Sequence, residues 1–543
     1  MTANALYRWF DETVLDLGRE VRWSYLPPLM VYLAYGVSGL TSVVGAFFIK
    51  DYLGLSAAFL AGLTFWAGIP WALKMPMGHL VDLIWRWKGL LVYLGASLIA
   101  VSLAIMYGLI AHTDAMRHVM SADAWYVLSA LLSPTGYALQ DVVADAMTVE
   151  AVPITDAEGK PYPEDLIKRM HTTMQTLGRF AVIGGLVLVA AVNITLFQGV
   201  DTMTQAQKAA IYAQIYLMAM AIPVISVLGV VLGGVSLRIR ARRLRRHGFD
   251  AEAIKRLLFQ PAEETKPNWW IFGGSILFVA FTVTMGVGEV PYAQEIIFAG
   301  SMGIVGFLMY RLILVLDAEV RYALVGTAII LFIFRATPLP GPGQTWFEID
   351  VLGFDQQFLS VLSLITSVLA LAGMLVLRPM MGQRSIAYVV VVLTIASGVL
   401  ALPNIGLFYN IQHWTEQMTG GVVDARFIAI LDTALESPLS QIAMIPMLAW
   451  IAKNAPPNLK ATFFAVMASF TNLALSASSL GTKYVNEIFL VTREVRDRAT
   501  GAVQVPADYR QLGWLLITVA AIGVIAPLAT VLIIQHSRLR TEQ

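Results

Sequence analysis

Apolar residues in this chain run in long blocks separated by short polar stretches. Each block is roughly 18 to 27 residues long, enough to cross a hydrocarbon core about 30 Å thick at about 1.5 Å per residue. Such blocks predict helices, because a segment inside lipid must satisfy its own backbone groups. Six are expected in the first part of the chain, near 25–49, 57–78, 89–110, 124–148, 173–195 and 209–236. Two more are expected near 269–288 and 292–316. Six follow near 321–336, 356–377, 385–408, 426–451, 461–484 and 511–535. The expectation is an all-α polytopic membrane protein with about fourteen spans. If the Gly-rich block at 269–288 and its neighbour form an interfacial or re-entrant hairpin, the number falls to about twelve.

The polar stretches orient the spans. Arg238, Arg240, Arg242, Arg243, Arg245 and Arg246, followed by Lys255, Arg256 and Lys266, form a basic linker that belongs on the cytoplasmic side. With the N-terminus inside, Arg86, Lys88, Lys160, Arg169, Arg321, Arg378, Arg384, Lys453, Arg538 and Arg540 fall on that same side. The outer loops, such as 338–355, are poorer in Lys and Arg. Both termini are therefore expected to be cytoplasmic, in a plasma (inner) membrane.

Composition agrees and narrows the chemistry. Hydrophobic residues make up 57% and charged residues 13% of the chain, about half the usual charged fraction of a soluble protein. Mean hydropathy is +0.69. The net charge of +1 gives no sign of a nucleic-acid partner, and with no cysteine there are no disulfides or thiolate sites. Asp11, Glu12, Asp16, Arg19, Glu20 and Arg22 crowd the start, so no removable signal peptide is expected. No ATP-binding loop, zinc-protease motif or nucleophile elbow occurs, and the seven histidines lack metal spacing. Neither an enzyme nor a cofactor is expected, and any transport must run on a gradient.

The sequence repeats itself. Phe48, Asp51, Gly54, Phe59 and Leu60 recur at one offset as Phe347, Asp350, Gly353, Phe358 and Leu359, and Lys74-Met-Pro-Met-Gly78 is echoed by Arg378-Pro-Met-Met-Gly382. An acidic pair in the fourth span, Asp141 with Asp145, returns as Asp432 with Glu436. The expected organisation is an N-terminal bundle (1–236), a linker with a two-span insertion (237–319) and a C-terminal bundle (320–543). Parallel six-helix repeats are the plan of the major facilitator superfamily, whose substrate site lies between the halves. Gly78, Asp82 and Arg86, between spans two and three, resemble that superfamily's cytoplasmic loop motif. The resemblance implies a gating role for them.

Charges within a bilayer are costly, so intramembrane acids are functional candidates. Asp141 and Asp145, four apart, share one helix face. Two acids so close resist joint ionisation, as a proton-coupling site requires. The alternative is a structural pairing with Lys or Arg, and Arg179 is a candidate neutraliser. Asp432 and Glu436 carry the same two readings. Lys74 and Arg335, near span ends, either snorkel to the interface or offer cations to an anionic substrate. Trp66, Trp71, Tyr137 and Phe334 either pack or stack on a planar ring.

Four stretches carry a family resemblance. They are Ile69-Pro-Trp71-Ala-Leu-Lys74 leading to Gly78 and Asp82, Ala138 to Glu150 around Asp141 and Asp145, Phe332 to Pro338 leading to Leu352-Gly353-Phe354, and Ala461 to Leu473 with Ser469 and Asn472. Together they resemble the folate-biopterin transporter family of the major facilitator superfamily. The resemblance implies uptake of a folate or pterin-like solute with protons, and functional weight on Lys74, Asp141 and Asp145. The favoured expectation is a proton-coupled secondary transporter with Lys74, Arg335, Trp71 and Tyr137 at the substrate. An exporter with the same fold and a non-transporting membrane receptor or assembly factor are the alternatives.

Overall fold

A computed structural model describes residues 21–540, apart from 53–54, 157–159, 259–268, most of 270–289, 315–316, 384, 441–459 and 497–502. Its spans are helices, several of them interrupted. The first is α1 (Leu26–Val37) and α2 (Ser42–Tyr52), joined by a 3-10 turn over Ser38–Thr41. The second is α3 (Ala57–Ala72) and α4 (Lys74–Leu83), divided at Leu73. Then come α5 (Gly89–Ala111), α6 (Ala122–Ala151), α7 (Glu164–Leu196), and α8 (Gln205–Ala219) running into α9 (Ala221–Arg246).

The expected span at 269–288 falls mostly outside the described residues, and its partner is α10 (Ala293–Ile313). The second half holds α11 (Ala318–Arg335), α12 (Pro342–Asp350), α13 (Gln356–Gln383), α14 (Ile386–Phe408), α15 (Ala425–Ser440), α16 (Lys460–Ile488) and α17 (Leu512–Gln535). A small hairpin, β1 (Val495–Arg496) and β2 (Val503–Val505), precedes α17.

The outward face of the bundle is apolar. On α14, Val392, Ile395, Val399 and Leu402 follow helical spacing and are 37 to 60% exposed. A stripe of that kind needs lipid against it. Among the described residues seven segments are long and apolar enough to cross a membrane. The first span passes as a whole, but the fully described α6 and α11 fall short. These carry the breaks and charges expected of helices facing a polar path rather than lipid.

Packing inside the bundle relies on small residues and hydrogen bonds, since lipid removes the hydrophobic drive between helices. Gly36 on α1 meets Gly185 on α7 so closely that a Cβ on Gly36 would stand 2.0 Å from the Val182 carbonyl oxygen. Gly95 on α5 and Gly136 on α6 make a second backbone crossing, where a Cβ on either would stand 2.5–2.6 Å from the other's carbonyl oxygen. Buried Ser102 bonds Ser129 at 2.9 Å, and Ser226 donates to Gln140 at 2.9 Å.

The packing partners repeat between the halves. Helix α1 packs on α7 and α9, and α11 packs on α16 and α17; α5 packs on α6 and α9, and α14 on α15 and α17. The halves meet through α3 on α16 and through α7 on α13, contacts that the repeat makes equivalent.

The stretch 338–355, expected as an outer loop, contains α12. Pro338 and Pro340 break the backbone after α11, and α16 repairs the break from one face. Ser478 donates to the Thr337 carbonyl (2.7 Å), Thr482 accepts from the Leu339 N–H (2.9 Å), and Asn486 donates to the Pro340 carbonyl (3.1 Å). Neighbouring hydroxyls and amides are what make such breaks tolerable inside a membrane. In the first half, Asn193 on α7 reaches the Leu40 carbonyl (3.4 Å) at the 3-10 break of the first span.

Candidate functional site

The site begins at the division between α3 and α4. Leu73 leaves the helical path (φ −82°, ψ 8°), and Lys74 opens α4. Pro76 contributes to this, because it has no N–H to donate back into the preceding turn. The Trp71 carbonyl is met from the other half by Asn472 Nδ2 on α16, at 3.1 Å.

From that position Lys74 Nζ makes a close ion pair with Asp141 Oδ2 and a second, at 3.0 Å, with Asp145 Oδ2. Both acids lie on α6, one turn apart. Tyr32 of α1 donates its hydroxyl to Asp145 Oδ1 at 2.6 Å. Arg179 of α7 acts on Asp141 through its field, while the direct neutralising contact belongs to Lys74. The Lys74 side chain is 27% exposed, Asp141 16% and Asp145 50%, so the cluster is reachable rather than sealed.

Aromatic rings adjoin it. Tyr35, three residues after Tyr32, lies 5.7 Å from the Trp71 ring and 5.6 Å edge-on to Tyr137. Tyr137 precedes Asp141 by one helical turn, and Trp71 precedes Lys74 by three residues. Three spans thus bring a cation, two carboxylates and three rings into one neighbourhood. Such a group can hold a planar ring by its faces and a carboxylate by the ammonium.

The remaining candidates lie elsewhere. Arg335 ends α11 in the second half and is partly buried. Asp432 on α15 is buried and accepts from Asn404 Nδ2 at 2.8 Å. Glu436 lies on the same helix, but its side chain falls outside the described residues. Gly78 and Asp82 belong to α4, and a Cβ at Gly78 would meet nothing within 4 Å. The Asp82 side chain falls outside the described residues, and Arg86 is exposed in the 3-10 turn Trp85–Trp87. Glu150 pairs with Lys88 at 3.0 Å. Trp66 packs edge-on against Phe65, and Phe334 packs against the apolar cluster around Leu324 and Leu331.

Tyr32 and Tyr35 escaped the sequence reading. For the two tyrosines a signal existed: they stand three apart, well inside a span, where tyrosine is less at home than at an interface.

Comparison with known proteins bears on what this cluster serves. The signature described as "BT1 family" matches residues 35–542. The chain belongs to the BT1 family. A curated relative, the folate-biopterin transporter of Synechocystis sp., is 24% identical over 471 residues, covering 86% of this chain and 76% of the relative. Among solved structures, a POT family transporter in complex with a thioalcohol-conjugated peptide aligns with a TM-score of 0.57 and 12% identity, over 96% of both chains. The nucleoside transporter NupG aligns with a TM-score of 0.52 and 11% identity, over 95% of this chain and all of its own. At such identities these structures speak for the fold alone, which is that of the major facilitator superfamily. This BT1 family member is an integral multi-pass membrane transporter.

Proposed function

We propose that the protein takes up a folate or pterin-like planar organic anion together with protons, by alternating access between an N-terminal bundle (1–236) and a C-terminal bundle (320–543). The observation that carries this reading is Lys74 held between Asp141 and Asp145 beside Tyr35, Trp71 and Tyr137. With both acids ionised the triad carries one net negative charge, and its only cation is committed to them. A substrate carboxylate then meets repulsion and an occupied lysine. A proton on either acid loosens one ion pair and brings the triad to neutrality, so Lys74 can turn to the incoming anion. Proton and anion therefore favour each other's binding, and by linkage the preference is mutual. That is the requirement for symport.

The basic linker supports an orientation with both termini cytoplasmic in a plasma (inner) membrane. The Synechocystis relative, by its name a folate-biopterin transporter, supports the substrate class. The test is uptake of labelled folate and pterin into proteoliposomes, with and without an imposed proton gradient. Stimulation by an inward gradient is expected, and its loss in Asp145→Asn. Full gradient-stimulated uptake by Asp145→Asn would remove the proton role from this carboxylate.

A further inference from the structure

The exposed apolar stripe of α9 leads straight into arginines. Val224, Leu228, Val231, Val235 and Ile239 follow one another in steps of three or four residues and are 43 to 55% exposed, so they share one face turned to lipid. The same steps carry that face on to Arg242 and Arg246, with Arg238 beside it, and all three are exposed. The apolar segment that ends here, Ala206–Arg246, is 41 residues long. At about 1.5 Å per residue that is about twice the thickness of a hydrocarbon core of about 30 Å, so its basic end projects into the headgroups.

The opposite face of that end is already covered. The Phe249 N–H bonds the Leu244 carbonyl at 3.2 Å, and Gly248, at φ +89°, lets the chain reverse. Asp250 then accepts from the Ala253 N–H at 2.7 Å and caps the short helix Ala251–Leu258. Ile254 and Leu258 of that helix cluster with Leu244, and Leu237 and Ala241 pack alongside. Residues 237, 241 and 244 lie across α9 from the lipid-facing stripe. The hairpin thus holds the end of α9 in place and leaves its lipid-side arginines open.

Arg238, Arg242, Arg243, Arg245 and Arg246 make no ion pair among the described residues. Arg240, which points away from the stripe, lies instead in the field of Glu150. A solvated face is the ordinary fate of a basic run. What sets this one apart is its continuity with an acyl-chain surface on the same helix.

We propose that this face of α9 is a seat for an anionic phospholipid. Its acyl chains lie along Val231, Val235 and Ile239, and its phosphate is held by Arg242 and Arg246 with Arg238 at the side. A guanidinium offers a phosphate two parallel N–H donors, and basic residues just beyond a span are attracted to anionic leaflets. A free phosphate would use the arginines alone, whereas a phospholipid uses the arginines and the stripe together. The seat is on the lipid-facing surface, so it is independent of the substrate and of proton coupling.

The chain has no cysteine, so a fluorophore on Leu232→Cys, beside the stripe, reports on that place alone. The full chain carrying it is reconstituted in phosphatidylcholine vesicles that contain nitroxide-labelled phosphatidylglycerol or, at the same mole fraction, nitroxide-labelled phosphatidylcholine. Contact quenching is expected to show an apparent affinity for phosphatidylglycerol about fivefold or more above that for phosphatidylcholine. Arg242→Gln/Arg246→Gln should bring the two lipids close to parity. Arg243→Gln/Lys255→Gln, which removes the same charge off that face, should keep most of the preference. Equal quenching by the two lipids in the parent protein overturns the seat. Equal loss in the two double variants overturns it as well, because the attraction would then be a diffuse field with no located headgroup. Displacement of phosphatidylglycerol by soluble glycerol phosphate would assign the arginines to a free phosphate and likewise overturn it.

Discussion

The fourth helices of the two halves carry acids at matching places in the repeat, yet the acids sit in different company. In the first half Asp141 and Asp145 meet an ammonium from α4 and a phenol from α1. In the second half Asp432 is buried against the Asn404 carboxamide. Glu348 of α12 lies within its field and accepts from Gln344 at 2.8 Å. One half thus pairs its carboxylates with an ammonium, and the other sets carboxyl groups among amides. The acidic position recurs while its partners differ, so under the coupling proposed above the charge that answers both proton and anion belongs to the first half.

The strongest way to break this comparison is to remove the cation. Lys74→Gln should abolish uptake, by at least about a hundredfold, and destabilise the protein, because two partly buried carboxylates lose their counter-charge. Breaking a fully buried pair costs about 3–5 kcal/mol, and the exposure of Asp145 places this case below that range. Thermal unfolding in detergent should show a clear loss in Lys74→Gln and partial recovery in Lys74→Gln/Asp145→Asn, with uptake still absent. Wild-type uptake by the single variant would mean that the first half is not the charge-responsive one.

A smaller and more discriminating effect comes from neutralising one acid in each half. Asp141→Asn should flatten the response of uptake to the proton gradient, whereas Asp432→Asn should leave the response in place and lower the rate by about threefold. Rates measured over a series of imposed gradients separate the two. The reverse pattern would assign proton coupling to the second half and leave Lys74 as an anion anchor only.

Much of this arrangement was legible in the sequence. Blocks of about 20 apolar residues have one structural solution in lipid, so spans such as α5, α14 and α17 begin and end within a few residues of expectation. The acids on α6 declared themselves by standing four apart in an apolar block. What stayed hidden was set by contacts between distant segments. Arg179 looked as suitable a neutraliser as any, and nothing local reveals that the division at Leu73 delivers Lys74 to Asp141 instead. The prolines around 338–340 are ordinary loop signals. Only the face of α16 carrying Ser478, Thr482 and Asn486 shows that the chain there is a repaired break followed by another helix.

That repaired break gives a third contrast. The first span bends through a 3-10 turn with help from Asn193, while the second-half break leans on a row of side chains from α16. Thr482→Val should strand the Leu339 N–H and cost about 1–3 kcal/mol, seen as a lower thermal midpoint, with Thr482→Ser close to wild type. Asn193→Leu should cost less, because its bond at 3.4 Å is long. Equal losses in the two variants would mean that both breaks depend alike on the neighbouring helix.

The smallest effect is expected at the rim, where it checks that the pH response belongs to the carboxylates within the helices. Asp508, next to the second-half hairpin, is chelated by Arg510, whose guanidinium donates to it at 2.5–3.0 Å and holds its carboxyl down to about 2. A carboxyl lowered in the folded state contributes its stabilisation above the ordinary carboxylate range and loses it only as the pH falls to about 2. Between pH 5 and 8 it stays ionised, so it has no proton to give or take while the transporter works. Asp508→Asn should therefore leave the pH profile of uptake where it is, within the error of initial-rate measurements. A displaced profile would locate part of the proton response at the rim and weaken the contrast between the two halves.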